Sequence, residues 1–463
     1  MSQRSVFSRP VRRRGGLALT VVACAAALAV SACGSGGSSS SSTTAPAAGA
    51  SVSGSAGSTA AASIVWSASP LSGTGANDAR TVLINAFEKQ YPNIHVSLVS
   101  APTDTDTNRA TLATEISGGS STPDVFMGDV IWPAQFGAHQ LAVPLSQYLP
   151  ASYWSKFAPG LVTGASYQGK VYGSPLFEDQ GFLYYRKDLL AKAHMSVPTT
   201  WEQLESDSVT LVHSGAVKYG FVWEGDSYEG LTCDFMEYLT DAGGAVTNST
   251  YSKATLDSPA ALKAVTFMRS LITSGVTPNA VTTFQEPQAM NIFAAGQSVF
   301  LRNWDYAYSY ATTPATSKLT ASQVGVAPLP TFSGMSYPGY SNIGGWNMYI
   351  NPHSKHVAAD LTFIKWLSGT TAQDILAEKY SEIPTVESIR TSPSVVSLNP
   401  VLAIVSKTRL VPRPAGTPNY PALSTAIYTN VNAILAGSVT PAAGLSTAQS
   451  QAGTALTTAS GGL

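Results

Sequence analysis

Cysteine is almost missing from this chain. Three occur in 463 residues, Cys24, Cys33 and Cys233. The first two fall in an N-terminal stretch ordered like a secretory signal: five arginines (Arg4, Arg9, Arg12, Arg13, Arg14), an apolar run from Leu17 to Val30, then the small pair Ser31-Ala32. That run is too short to cross a bilayer as a stable helix, and no later run is long enough. With Cys24 leaving in the signal and Cys33 at the cleavage point, Cys233 stands alone. An internal disulfide is thereby excluded, and a chain of this length buries enough apolar surface to fold without one. Within Leu231-Thr232-Cys233-Asp234-Phe235-Met236, Cys233 reads as a small buried hydrophobe on a helix, with no histidine nearby in sequence to activate it. Charge is scarce too, at 11% of residues. The 26 basic residues less the five signal arginines leave 21 against 27 acidic ones, a net of about −6 with no Lys/Arg block. Nucleic acid is excluded as a partner by that balance. Catalytic patterns are missing as well: there is no Gly-x-Ser-x-Gly elbow and no His-Glu-x-x-His, and the six histidines are scattered. These absences favour binding over chemistry.

What is present begins with an address. The pair Ser31-Ala32 directly before Cys33 resembles a bacterial lipobox, in which the thiol is acylated and becomes the first residue of the mature protein. The plain alternative is secretion with cleavage near Ala32, and either way the protein works outside the cytoplasm. From Gly34 to Ala62 the residues are almost only Ser, Gly, Ala and Thr. Such a segment cannot bury enough apolar area to offset its ordering entropy, so a flexible tether is expected. The remaining stretch of about 400 residues suggests two lobes at roughly 100–200 residues per domain.

The first part of that stretch alternates strand and helix. Ile64-Val65-Trp66 reads as a strand, and Ala79, Val82, Leu83, Ala86 and Phe87 share one helical face. Ile94, Val96 and Leu98 alternate as in a strand, a helix follows around Ala110 to Ile116, and Asp124 to Met127 is a further strand. Later, Thr199-Thr200-Trp201-Glu202 fits a capping box, and Ala260–Ile272 and Ala358–Leu367 are amphipathic. The pattern predicts a mainly parallel sheet flanked by helices. Two motifs tempt and fail. Gly164 to Lys170 matches a phosphate-binding loop until Val171 stands where Ser or Thr should hold magnesium, and Tyr167 to Tyr172 reads better as a tight turn between strands. Asp104, Asp106, Asn108 and Glu115 reproduce calcium-loop spacing, but Arg109 occupies the position that needs glycine. The paired carboxylates Glu178-Asp179 point to opposite faces of one strand and would not flank a single bond.

Sugars are recognised by planar polar side chains that pair with vicinal hydroxyls and by aromatic faces that stack on C–H faces. Both devices recur in four short loops: Met127 to Pro133, Pro175 to Gly181, Leu301 to Tyr306 and Ile343 to Asn347. Gly181-Phe182-Leu183-Tyr184-Tyr185-Arg186-Lys187-Asp188-Leu189-Leu190 resembles the matching segment of extracellular solute-binding proteins of sugar ABC importers. Asp129 to Pro133, Tyr228 to Leu231, Arg302-Asn303-Trp304, Gly344 to Asn347, Arg413-Pro414 and Tyr420-Pro421 together resemble the trehalose/maltose-binding lipoprotein branch.

That resemblance implies an α/β, two-lobed, periplasmic-binding-protein-like fold with three inter-lobe crossovers and a ligand cleft at the hinge. The expected organisation is a signal and lipobox at 1–33, a tether at 34–62, one lobe from 63–173 plus 328–367, and a second from 174–327 plus 368–463, with crossings near Gly173, Ala327 and Leu367. It implies Asp129 and Asp179 as hydroxyl acceptors, Trp304 and Trp346 as stacking faces, Gly344 and Gly345 as backbone donors, Arg413 as a bidentate donor and Tyr306 as a further wall. Asp106 and Arg109 resemble another ligand-contacting turn, and Glu229 contacts sugar or supports the site. Phe177 departs by standing where a polar-tipped aromatic is expected. The loop Ser69 to Asn77 lacks an acidic residue, leaving Asn77 or Asp78 as substitutes. The implied function is capture of an α-linked disaccharide and delivery to membrane permease subunits, by a monomer anchored through Cys33 to the outer face of a bacterial membrane, without metal or cofactor. Alternatives are the same fold binding a sugar alcohol, glycerophosphodiester or amino-sugar, and an envelope glycoside hydrolase using Asp129 and Asp179. A Cys33→Ser form is expected to bind sugar normally yet support uptake poorly in cells, and undiminished uptake by that form would refute the anchoring role.

Overall fold

The computed structural model describes residues 60–458. The signal, Cys33 and the tether up to residue 59 lie outside the described residues. The first strand, β1 (Ala62–Ala68), buries Ile64, Trp66 and Ala68, and pairs in parallel with β2 (Ile94–Ser100) and with β3 (Val125–Asp129). The intervening helix Ala79–Gln90 starts where the Asp78 carboxylate accepts the Arg80 amide, an N-cap that satisfies a donor with no partner inside the helix. It buries Leu83 and Phe87, whose ring meets Phe363 edge-on at 4.9 Å and Trp366 at 5.6 Å on the helix Val357–Leu367.

Two tempting motifs resolve here. Ser166–Tyr167 (β4) and Lys170–Val171 (β5) form an antiparallel hairpin turned by Gln168 and Gly169, both at positive φ. This is the tight turn predicted from sequence, and no phosphate loop exists there. Residues 105–117 form a helix capped by Asp104, which accepts the Thr107 amide at 2.7 Å, so the calcium-like spacing is spent on helical turns.

Next come β6 (Ser174–Gln180), β7 (Phe182–Arg186), β8 (Tyr219–Val222), β9 (Ser298–Asn303), β10 (Val324–Ala327), β11 (Tyr340–Ile350), β12 (Ile383–Pro384) and β13 (Arg409–Val411). The larger sheet runs β12-β6-β11-β3-β1-β2, with β13 paired to the start of β11. The smaller runs β10-β7-β9-β8. Against it pack the helices Trp201–His213 and Glu286–Ala294, while Glu229–Asp241, Pro259–Thr273, Tyr420–Leu435 and Pro441–Thr457 pack on one another. The mainly parallel sheet predicted from sequence is corrected: β11 runs antiparallel to both β3 and β6, so the larger sheet is mixed.

The chain passes between the sheets at three places. The passage expected near Ala327 falls between β10 and β11. Those expected near Gly173 and Leu367 lie elsewhere. Ladder bonding of β6 to β11 runs through Gln180, so the passage is at Gly181, and β12 still belongs to the larger sheet, so the return comes after β13. At Gly181 the backbone N–H donates to Ser341 Oγ at 2.8 Å, and that hydroxyl donates back to the Gly181 carbonyl at 3.0 Å. Thr408 Oγ1 donates to Gln180 Oε1 at 2.7 Å, drawing the third passage to the same point. Glycine is required there by close approach: a Cβ would lie 2.5 Å from Glu237 Oε1 and 2.7 Å from Arg302 Nη2, both buried. Gly181→Ala is therefore expected to cost about 1–3 kcal/mol through overpacking, measurable as a lowered urea midpoint with unchanged slope. An unchanged midpoint would show that the crossing relaxes freely.

Candidate functional site

Residues of the larger sheet, together with segments that flank the smaller one, line a cavity of about 420 Å³, within the roughly 300–1,000 Å³ usual for small-molecule sites. One wall is the C-terminal end of β3. Asp129 closes that strand with its carboxylate buried, and Oδ1 accepts the Ile131 amide at 3.2 Å. Arg413, from the segment after β13, donates through Nη2 to Asp129 Oδ1 at 2.7 Å and through Nη1 to Oδ2 at 3.2 Å. The same Nη1 reaches Glu229 Oε1 at 2.9 Å, at the start of the helix Glu229–Asp241. Tyr420 and Ser424 complete the Glu229 carboxylate. The Arg413 fork thus engages Asp129 and Glu229, and its Nε is buried without a partner. Asp129 is the bidentate partner of the arginine expected to offer its fork to a ligand.

The opposite wall is aromatic. Trp304 follows β9; its amide donates to the Asn303 side chain at 2.9 Å, and Tyr184 donates its hydroxyl to the Trp304 carbonyl at 2.7 Å. Behind the indole, the Arg302 guanidinium stacks 4.2 Å from the ring centroid. Arg302 is pinned by ion pairs to Glu224 at 3.0 Å, Asp234 at 3.0 Å and Glu237 at 2.6 Å. Phe177, Tyr306 and Trp346 line the cavity beside Trp304. At Gly344 a Cβ would meet the Trp304 ring at 2.9 Å, so glycine lets the indole lie on the strand. Gly345 adopts φ +117°, a left-handed value that favours glycine, and its carbonyl accepts the Val130 amide at 3.1 Å.

A third corner is acidic. Oxygens of Asp179 on β6, Asp305 after Trp304, and Glu382 before β12 lie within 4.8 Å of one another. Asp305 accepts the Gln180 amide at 3.3 Å and the Ile383 amide at 3.1 Å, while Asp179 Oδ1 and Glu382 Oε2 have no partner. Two full charges at that separation repel by about 3–4 kcal/mol at an effective dielectric near 20. Burial, together with the neighbouring carboxylates, pushes Asp179 up to about 7 and pushes Asp305 and Glu382 well above the ordinary carboxylate range. Glu178, one residue from Asp179, faces away and pairs with Arg390, as the strand alternation predicts.

The structure gathers Asp129, Asp179, Trp304, Tyr306, Gly344, Gly345, Trp346, Arg413, Phe177 and Glu229 around the cavity. Asp106 and Arg109 are not in its lining; Arg109 Nε sits 3.8 Å from Asp106 Oδ1 and its Nη1 donates to Gln135 at 3.2 Å. Burial and the nearby Glu229 push Asp106 up to about 7, and Thr103 and Thr105 reach the cavity instead. Of the residues weighed in the first loop, Asn77 lines the cavity while Asp78 is committed to Arg80 at 2.6 Å. Cys233 lies buried on its helix, touches the cavity, and has its thiol pushed well up by burial. Missed from sequence were Glu382 and Glu286; neither lies in the four segments singled out there, and the strand pairing of β12 with β6 delivers Glu382.

Residues 73–374 match the model of the family described as bacterial extracellular solute-binding protein. A Deinococcus radiodurans protein described as a probable ABC transporter-binding protein is 32% identical over 377 residues, 79% of this chain and 88% of that one. A mannitol-binding protein of Pseudomonas aeruginosa is 25% identical, over 64% of this chain and 67% of that one. Among solved structures, maltose-bound MalE3 of T. maritima matches with a TM-score of 0.77 at 32% identity, covering 84% of this chain and 98% of that one.

Asp179 keeps its proton in the folded protein up to about pH 7, whereas an aspartate with the ordinary value of 3.8 has lost it. The sign follows: its contribution to stability is complete below about pH 4 and is lost as pH rises through about 7. Asp179→Asn removes this titration, so between pH 5 and 8 the Tm of the variant should fall less than that of the parent, and parallel curves would contradict the assignment.

Proposed function

Because the chain belongs to the bacterial extracellular solute-binding protein family, we propose that it captures an α-linked disaccharide, trehalose or maltose-like, between its two sheets and delivers it to the permease of an ABC importer. The observation that carries this reading is the pairing of opposed walls in one cavity. Trp304, Trp346, Phe177 and Tyr306 offer ring faces, while Asp129, Asp179, Glu229 and Arg413 offer planar polar groups. A pyranose presents apolar C–H faces and a rim of vicinal hydroxyls, which is the complement of that arrangement. Maltose in the MalE3 structure and the mannitol of the Pseudomonas relative support a polyhydroxylated solute.

Binding desolvates the cleft, and rotation about the Gly181–Ser341 crossing closes one lobe over the solute. The first lobe consists of the larger sheet with its helices and the second of the smaller sheet with its own. Acylation of Cys33 holds the protein at the outer face of the membrane, within reach of the permease. Asp129 acts as a hydroxyl acceptor already oriented by Arg413, so no bond in the sugar is broken. Incubation with disaccharides should release no monosaccharide, and release would establish a hydrolase.

Calorimetry of the chain from residue 60 onward against trehalose, maltose, sucrose, maltodextrins and mannitol is expected to give saturable heat with at least one α-linked disaccharide, and silence across the panel would remove the sugar assignment. Trp304→Ala should weaken that binding at least tenfold, about 1.4 kcal/mol, because it removes a ring face already braced by Arg302.

A further inference from the structure

The charges of the cavity do not balance. Asp129 and Glu229 share the guanidinium of Arg413. Asp179 and Glu382 also line the cavity, with Asp305 against them, yet among the described residues none of these three forms an ion pair. Asp179, Asp305 and Glu382 are 5%, 0% and 1% exposed, and Asp179 Oδ1 and Glu382 Oε2 have no hydrogen-bond partner other than a proton held between the three carboxylates themselves. The orphaned oxygens belong to the two members that line the cavity. A corner of three buried carboxylates that only protons keep neutral calls for a donor that brings positive charge and can take the protons' place.

We propose that the Asp179–Asp305–Glu382 corner of the cleft is a subsite for a protonated amine carried by the captured sugar, an inference that rests on the sugar-binding reading above and narrows its ligand class. A primary ammonium offers three N–H donors and one positive charge, enough to fill both orphaned oxygens and offset one carboxylate. A hydroxyl offers one donor and no charge. The aromatic walls add to the preference, since ring faces attract cations. The same charge balance argues against an anionic solute such as a glycerophosphodiester, which would meet Asp129, Asp179, Glu229, Glu286 and Glu382, with Arg413 the one basic residue in the lining among the described residues.

The charged groups that act on Asp179 are Asp129, Asp305, Glu382, the more distant Arg413 and, from the other face of the strand, Glu178. Arg413 favours its ionised form and the carboxylates Asp129 and Glu178 oppose it, with burial the largest influence. With no amine bound, a proton shared within the corner takes the place of the missing cation. Amine and proton therefore compete, and the preference for an amine should widen as pH rises from 6 until the amine, made less basic by its neighbouring oxygens, loses its own proton.

The test is calorimetry of the chain from residue 60 onward with trehalose and maltose beside their mono-amino-deoxy derivatives, one for each hydroxyl position, at pH 6, 7 and 8. At least one derivative should bind tenfold or more tightly than its parent at pH 8, by a ratio that shrinks at pH 6. In Glu382→Gln, checked for folding by its Tm, and in the milder Asp305→Asn, that ratio should collapse toward one, whatever happens to the parent sugar. Neutral disaccharides that bind while every amine binds equally or more weakly overturn the subsite and leave the sugar reading standing. Absence of heat with neutral disaccharides and amino derivatives alike overturns both the subsite and the disaccharide reading. Tight Ca²⁺ binding at the corner, with amines indifferent, assigns it to a metal and also overturns the proposal.

Discussion

The buried guanidinium of Arg302 is the charge on which the second sheet and the cleft both depend. It sits at the end of β9 with three carboxylates around it, from Glu224, Asp234 and Glu237. Taking such a group out of water is tolerable only when its donors are all engaged, and removing one partner from a buried pair leaves an uncompensated charge. Here the engagement does more than neutralise. Glu237 Oε1 also accepts the amide of Asn342 at 2.9 Å on β11, and Asp234 accepts the amide of Glu224 at 3.1 Å. One ion cluster therefore ties β9, the helix Glu229–Asp241 and the strand that leads back to the larger sheet, while its outer face braces Trp304.

Arg413 does a parallel job from the other side. It arrives on the third passage between the sheets and joins Asp129 at the edge of β3 to Glu229 on a helix of the smaller sheet's layer. The two arginines differ in what they leave over. Arg302 is enclosed, whereas Arg413 keeps an unpartnered Nε in the wall of the cavity. The acidic corner has neither arrangement, and that contrast separates groups that hold the protein together from groups that await something.

Much of this was legible from the chain. A period-3.6 pattern places the helix at Ala79–Gln90, which buries one face, and apolar runs place the strands around Trp66 and Val125, the latter buried on both faces. The segments bearing Asp129, Phe177-Asp179, Trp304-Tyr306 and Gly344-Trp346 do converge on one cavity, but the first, second and fourth lie on the strands β3, β6 and β11 and not in the loops expected from sequence. What could not be read was partnership at long range. Arg302 looked like part of a recognition loop, and nothing local says that its fork closes on Glu224 and Glu237. Ser174–Gln180 reads as a strand, yet its pattern does not say which sheet it joins, so the crossing was expected too early. Glu382 precedes a two-residue strand whose pairing with β6 has no periodic signal at all.

The knot at Gly181 carries a wider implication. Its contacts are a backbone amide, a backbone carbonyl and one serine hydroxyl, with the Thr408–Gln180 bond alongside. None of these atoms lines the cavity. The mechanical part of the molecule is thus chemically blind to what the cavity holds. Substitutions in the walls can retune the solute without touching the pivot, and the fold can change its cargo over evolutionary time while its movement stays the same.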